Sequence, residues 1–448
     1  MSTAAQAWMD ARDRLLARAA SARGPCRLRE TVGEPVDLLD WLSAQQHRIR
    51  GYWLDRDGDL EVAAIGEALE IKGTVPGAFG PCVESARAAL ADADPDMRFY
   101  GGFRFGPWHP SDPAWRPFQA YRFIVPQVEL VRRGDGAPEL VCNVIGSGHG
   151  TDEAVSILRS LAPLPSAGVA SSRPSVATRH DSPDRAGWIE MVGRALKEIR
   201  AGALQKIVLA RRACFTLDRP ADPFFLIRRI RDESGKCFLY AGVHGAGFAF
   251  IGASPERLFS RSGRQILSEA LAGTRPRGTS PAEDAAAARA LLGDPKERRE
   301  HRLVVDGILE SLKSLTTDLR AAEEPEILKL ARVLHLLTPI EGRLADGVDD
   351  GQLLHALHPT PALGGQPRVA ALDRIAQLEA FDRGWYGGPI GWISRDAAEF
   401  AVAIRCGLVS SSMLCLFAGA GIVEGSDPER EWAETESKLS GFLAMLGC

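Results

Sequence analysis

The sequence predicts an α+β fold, antiparallel sheets covered by helices, and three pairs of apolar runs carry that expectation. Cys237 to Gly242 and Gly247 to Gly252 flank a His-Gly-Ala turn, and Pro389 to Ser394 and Glu399 to Cys406 turn at Arg395-Asp396. Cys406 to Val423 carries no charge and has the length of a membrane span. Ser410-Ser411-Ser412, Gly419 and Gly421 break it into two buried strands instead. Hairpins in succession build antiparallel sheets, whereas a doubly wound parallel sheet needs a long crossover between strands. The 448 residues suffice for two or three domains or one large one. With 45% hydrophobic and 25% charged residues the composition is that of a globular protein, which excludes disorder, collagen-like repeats and a coiled coil. Lys and Arg number 54 against 58 Asp and Glu, a net charge of −4, so no nucleic-acid partner is expected.

The elements follow in chain order. The first twenty residues mix Asp10 and Asp13 with arginines and hold no apolar signal core. The eight cysteines (Cys26, Cys82, Cys142, Cys214, Cys237, Cys406, Cys415 and Cys448) show no C-x-x-C spacing. They are expected to be free thiols in a reducing compartment, which makes the chain cytoplasmic, with no membrane association. Gly146-Ser147-Gly148-His149-Gly150 mimics a dinucleotide loop but lacks the parallel strand and the acidic residue that should follow, so it is not read as a nucleotide site. Leu161 to Gly187 is rich in Pro, Ser and Ala and reads as a surface connection. It divides an N-terminal part, 1–185, from a second part, 186–448. There Trp188, Val192, Leu196, Ile199 and Ala203 recur at helical spacing, and Lys206 to Ala210 reads as a strand.

Charges intrude on these apolar elements. Lys206 opens a strand, Glu256 directly follows another, and Arg405 sits inside the run Val402 to Cys406. A helix beginning near Pro295 buries Val304, Val305, Ile308, Leu309, Leu312 and Leu315, with Glu300 and His301 one turn earlier on the same side. A carboxylate directed at a core needs a cation or a metal. Salt bridges from Glu300 to Arg212 or Arg298 are the structural alternative. In the last helix, Asp427 is the expected N-cap and Pro428 the first residue. Trp432, Thr435, Leu439, Phe442 and Leu446 form its inward stripe, edged by Glu431, Glu434 and Lys438. By spacing alone that edge reads first as solvated surface; against this, Gly419 and Gly421 just before it open backbone N–H groups to a ligand. His335, His355 and His358 are placed in loops or at helix ends.

Six motifs in order resemble the chorismate-utilising enzymes, over roughly residues 186 to 446. They are Leu204 to Arg211, Gly252 to Leu258, Ala270 to Thr274, Lys296 to His301, His335 to Pro339, and Phe417 to Lys438. Upstream only Tyr100 to Phe105 adds to the likeness. The resemblance implies a sandwich of two mainly antiparallel β-sheets with helices outside, the N-terminal part joining the same body. His358 to Gly365 resembles the isochorismate-forming branch. Ala362 stands where the amino-transferring and salicylate-forming branches carry a threonine, and Lys206 stands where an ammonia-using branch carries no lysine. Glu297 replaces the aspartate of the family pattern.

What the resemblance implies for the site is specific. Lys206 is the general base for water and Glu256 the general acid for the departing hydroxyl. Glu300 and Glu434 hold Mg²⁺, with Glu431 assisting through water. Gly273, Thr274, His335, Ala362, Tyr386, Arg405, Gly419, Gly421 and Lys438 contact chorismate, the expected small-molecule partner. No amidotransferase subunit is expected. The branches that go on to release pyruvate, and a non-catalytic chorismate-binding protein, are the alternatives. The chemistry requires shifted pKa values. At pH 7 only about one ordinary lysine in ~2,500 is neutral, roughly 4.6 kcal/mol away, and an ordinary glutamate is protonated only about one part in ~500. A dry pocket moves both groups the required way.

Overall fold

Every pairing among the described strands is antiparallel, as the run of hairpins requires. The computed structural model describes residues 3–446 apart from 34–35, 107, 109–111, 147–148, 164–172 and 246. The three hairpins read from the sequence form as Phe238–His244 with Phe248–Ser254, Pro389–Ile393 with Ala397–Val402, and Cys406–Ser410 with Met413–Ile422. In the last, Ser411 takes a left-handed φ of 50° at the turn. Ala246 of the first turn lies outside the described residues.

Two sheets result, of twelve and ten strands. The larger runs Cys26–Thr31, Glu139–Val144, Val128–Arg133, Leu60–Ile65, Ile49–Leu54, Phe238–His244, Phe248–Ser254, Cys406–Ser410, Met413–Ile422, Lys206–Leu217, Gly365–Gln366, with Val176–Ser182 also on Lys206–Leu217. The smaller runs Arg320–Ala321, Val333–Arg343, Gln265–Pro276, Arg257–Ser262, Ala397–Val402, Pro389–Ile393, Phe99–Phe103, Tyr121–Val125, Leu69–Gly73, with Glu326–Lys329 also on Val333–Arg343. Strands from before and after residue 185 neighbour one another in both sheets, Ile49–Leu54 against Phe238–His244 and Phe99–Phe103 against Pro389–Ile393. Trp53, Tyr240, Phe250 and Phe417 of the larger sheet cluster with Ile390, Trp392 and Ala401 of the smaller.

Helices close the remaining apolar faces. Trp8, Trp41, Ile230 and Phe442 pack with strand residues of the larger sheet, and Val83, Val304, Ile308 and Leu353 with those of the smaller. Arg185–Arg200 starts at Asp184, whose carboxylate caps the Gly187 N–H, and buries Trp188, Val192 and Leu196. Each such side chain contributes about 1.5–3 kcal/mol of burial. Pro295–Leu312 is capped by Asp294, and Pro428–Leu446 by Asp427, which accepts from the N–H groups of Glu429 and Arg430. Among the described residues no helix is long and apolar enough to cross a membrane.

The structure departs from the sequence reading in the connection and the cysteines. Of Leu161 to Gly187, residues 164–172 lie outside the described set, Val176–Ser182 is an edge strand, and the next helix starts at Arg185. Ser147 and Gly148 of the glycine-rich loop are likewise outside it, and the preceding strand, Glu139–Val144, pairs only antiparallel, as a dinucleotide unit would not. Cys214 and Cys415 are not free. They face each other across Lys206–Leu217 and Met413–Ile422, Cα atoms 4.0 Å apart, joined as a disulfide. Strand register, invisible in sequence spacing, brings these two together, and cysteine usage no longer argues for a reducing compartment. Cys26, Cys82, Cys142, Cys237 and Cys406 are free thiols, and Cys448 lies outside the described residues.

Candidate active site

The site forms where the chain passes between the sheets. Ser254 ends a strand of the larger sheet and Arg257 begins one of the smaller, so Glu256 lies in the crossing. The chain returns between Val402 and Cys406, and Arg405 lies there. Arg405 is therefore not within a strand, as its apolar neighbours implied; its φ of 48° is left-handed and ends the ladder. Two backbone bonds zip the crossings together. The Ala253 N–H donates to the Arg405 carbonyl and the Val402 N–H to the Glu256 carbonyl, both at 3.0 Å. The Glu256 N–H reaches Ser254 Oγ at 3.2 Å.

Lys206 enters from the side. Ile207 pairs with Ile422 and Val208 with Gly421 on one edge, while the Gln205 and Val208 N–H groups donate to the carbonyls of Gln366 and Gly364 on the other. A Cβ at position 421 would stand 3.0 Å from Lys206 Cε, so glycine there makes room for the lysine side chain. Ala362 lies two residues before Gly364, in the turn beside this strand. Burial pushes the Lys206 amine down, against the attraction of Glu300, Glu256 and Glu434, and Lys438 repels it further. Burial also raises Glu256 to about 7, opposed by Lys206 and Arg405 and assisted by Glu269. At 8% exposure Glu256 is effectively dry.

Behind Arg405 runs a hydrogen-bonded chain. Arg405 Nη2 lies 3.0 Å from His335 Nε2, and because a guanidinium only donates, His335 carries its proton on Nδ1. That proton faces Thr274 Oγ1 at 2.9 Å and the Gly273 carbonyl at 3.3 Å. Burial and Arg405 hold His335 neutral, pushed down to about 4. His335 sits in the Val333–Arg343 strand, not in a loop as expected. Gly273 has a φ of 78° at a register shift between Ala272 and Thr274, a conformation that favours glycine. Glu297, read from the sequence only as a replacement of the family's aspartate and given no role there, accepts the Thr274 N–H on its carboxylate at 3.2 Å and fixes this bulge. Its place three residues before Glu300 in the same motif was the available signal.

The last helix brings Lys438 and Glu434 within electrostatic reach of Lys206. Lys438 Nζ donates to the Gly419 carbonyl at 2.7 Å and pairs with Glu434 at 2.8 Å. A Cβ on Gly419 would meet Tyr386 Oη at 2.9 Å, and the Tyr386 ring stacks on Phe417, centroids 5.4 Å apart. Burial raises the Tyr386 hydroxyl, and burial with nearby Glu434 raises Glu431, which Ser426, Lys438 and Lys296 counteract.

Glu300 departs from expectation. It is exposed on its helix, while adjacent His301 turns inward to Thr338 Oγ1 at 2.7 Å and the Ala272 carbonyl at 3.3 Å. Arg298 pairs with Glu324 and Arg212 with Asp112, so neither salt bridge considered for Glu300 forms. Its charge nonetheless reaches Lys206. Among the described residues no group of three or more His, Cys, Asp or Glu is arranged to hold a metal. A mainly apolar cavity of about 80 Å³ lies elsewhere, between the sheets beside Tyr52, Trp53, Tyr240 and Trp385, and its lining holds no carboxylate.

Lys206 and Glu256 thus lie close enough to act on each other, and burial moves the amine down and the carboxyl up. A family model described as chorismate binding enzyme matches residues 20–447, and the chain belongs to that family. The salicylate biosynthesis isochorismate synthase of Pseudomonas aeruginosa is 36% identical over 428 residues, 92% of this chain and 88% of its own. Isochorismate synthase MenF of Escherichia coli is 31% identical over 420 residues, 92% of this chain and 91% of its own. The solved structure of MenF, the menaquinone-specific isochorismate synthase from Escherichia coli, superposes with a TM-score of 0.87 at 29% identity, covering 98% of this chain and all of that one. The sandwich of two mainly antiparallel sheets with helices outside is thus the family's fold.

Proposed function

We propose that this enzyme isomerises chorismate to isochorismate: water adds at C2 of the ring, the double bonds shift, and the C4 hydroxyl leaves. The observation that carries the reading is the pair Lys206 and Glu256, close enough to act on each other and pushed by burial toward neutral amine and protonated acid. Lys206 Nζ takes a proton from the incoming water. Glu256 gives one to the leaving hydroxyl, which departs as water, so the overall change is an isomerisation. Solvent exchange resets both groups. A positioned proton-transfer group is worth about 10²–10⁴-fold in rate, and burial supplies the shifts that free amino acids lack.

The other groups bind and orient. Arg405 and Lys438, with the backbone at Gly419 and Gly421, receive the enolpyruvyl carboxylate, and Tyr386 borders it. Gly273 and Thr274 flank the ring, and His335, neutral and fixed in one tautomer, presents no second charge to compete with Arg405. Ala362 lines the loop beside Lys206, where the absence of a threonine hydroxyl favours stopping at isochorismate. Mg²⁺ takes one or two carboxylates and completes its shell with water and substrate oxygens, so it does not need the cluster of three ligands that the described residues lack; Glu434, which adds to burial in raising Glu431 and is paired with Lys438, stands beside that second carboxylate. Glu300 and Glu434, with Glu431 through water, would hold it, and when bound it would neutralise the ring carboxylate.

Similarity to relatives named as isochorismate synthases, whose product carries no amino group, supports a reading without an amidotransferase. The test is incubation with chorismate and Mg²⁺, with and without EDTA, followed by chromatography. Isochorismate as the metal-dependent product is expected. Salicylate with pyruvate, or chorismate bound and recovered unchanged, defeats the proposal.

A further inference from the structure

A second ionic cluster lies directly behind the acid, and nothing in the mechanism above uses it. Arg56 projects from the turn between Ile49–Leu54 and Leu60–Ile65, a turn pinned by Asp55, which accepts from the Gly58 and Asp59 N–H groups. Its guanidinium forks onto both oxygens of Glu269, at 2.5 and 2.6 Å, and Nη1 also donates to the Pro255 carbonyl at 3.2 Å. Arg257 reaches Glu269 at 2.6 Å, Glu399 at 3.2 Å and Asp57 at 3.3 Å. Both guanidiniums lie against the Phe238 ring. Arg56, Glu269 and Arg257 are all buried.

Stability does not account for this arrangement. Removing charges from water costs more than such pairs usually return, and apolar replacements are often neutral or stabilising. Position accounts for it. Pro255 is the residue before Glu256, so the fork holds the peptide from which the acid projects, next to the carbonyl that the Val402 N–H holds.

We propose that Arg56 is a positioning residue for Glu256: through Glu269 and the Pro255 carbonyl, the N-terminal part of the chain clamps the crossing that presents the acid. This rests on the proposed role of Glu256. The charged groups acting on Glu256 are Lys206 from its strand, Arg405 from the return crossing and Glu269 from the neighbouring strand. Arg56 and Arg257 neutralise Glu269 in turn. Removing Arg56 leaves Glu269 less compensated and favours the protonated acid. Removing the Glu269 charge does the opposite.

The test uses full-length enzyme labelled with [5-¹³C]glutamate, the Glu256 signal being the one lost in Glu256→Gln. Titration midpoints, kcat and KM are compared for wild type, Arg56→Met and Glu269→Gln. Arg56→Met is expected to lower kcat at least about tenfold, as misplacement of a reacting group does, with KM for chorismate within about twofold. The Glu256 midpoint should rise in Arg56→Met and fall in Glu269→Gln. Midpoints unmoved in folded variants, or moved the same way in both, overturn the proposal. Should Arg56→Met fail to fold, Arg56→Lys decides: it keeps the charge but not the fork, so kcat falls while the midpoint holds, and an unchanged kcat overturns the clamp. If wild type turns over no chorismate, the functional reading fails, while the titrations still decide the coupling.

Discussion

Replacing the acid should make the protein more stable, but only above a definite pH. Burial lifts Glu256 from the ordinary 4.5 to about 7, a value that already includes the attraction of Lys206 and Arg405. A carboxyl raised in the folded state binds more protons folded than unfolded between those values, so stability falls as pH rises through that window. About 2.5 pH units at ~1.4 kcal/mol each give a penalty of roughly 3–4 kcal/mol, nearly complete by about pH 8 and under about 1 kcal/mol at pH 5. Glu256→Gln has nearly the shape of the protonated acid and no charge to bury. Urea unfolding of both proteins at pH 5 and pH 8.5 isolates the difference, because Glu399, likewise raised to about 7, is present in each. The variant should gain roughly 2–3 kcal/mol more at pH 8.5 than at pH 5. A difference independent of pH, or a variant less stable at pH 8.5, would show that Glu256 is not a desolvated acid and would remove the basis for its role.

Glu256→Gln and Lys206→Ala should each lower turnover at least ~10²-fold, read from chorismate consumption; near-normal activity in either removes that residue from the mechanism. Lys206→Met should stabilise most at neutral pH and lose that advantage toward pH 10.5, because a lowered lysine weakens the fold only while it is charged, and urea midpoints across pH check the slope. In Gly421→Ala the new Cβ at 3.0 Å from Lys206 Cε must push the side chain about 0.5–1 Å toward ordinary contact; turnover should drop up to ~10²-fold in a normally folded protein, and wild-type kcat would mean that lysine position is unimportant. Glu434→Ala should abolish turnover and its Mg²⁺ dependence together, measured against EDTA-treated wild type.

The parts of the fold legible in sequence were those governed by local rules. Turn residues at Arg395-Asp396 and Ser410 to Ser412 marked hairpins, and Pro295 and the Asp427-Pro428 pair marked helix starts. What depended on register or on one backbone angle was not legible. Val402 to Cys406 is apolar on both sides of Arg405, so nothing local announces that the chain leaves one sheet there for the other. Glu300 and His301 are neighbours a helical step of about 100° apart. Hydrophobic periodicity placed both on one face, whereas the packing takes only His301. Cys214 and Cys415 are 201 residues apart and meet only because two strands align. The charged residues of the site stood out as intrusions on apolar elements, but their roles came from the ordered motifs, not from spacing.

Placing the acid in a crossing between sheets has a physical reason. Within a ladder, alternate side chains are committed to two packed faces, and a charge on either must find a partner or leave. At a crossing the backbone changes sheets, and its free side chains open onto the seam without displacing core residues. Here two crossings bond to each other, so Glu256 and Arg405 are fixed at the cost of two hydrogen bonds the strands would have made anyway. Lys206, by contrast, belongs to a strand that stays in one sheet and reaches the seam only because Gly421 yields the space. The seam tolerates an acid and a base pushed away from their ordinary charges because the surrounding sandwich supplies the stability. Apolar substitution at either should therefore raise stability as it lowers turnover.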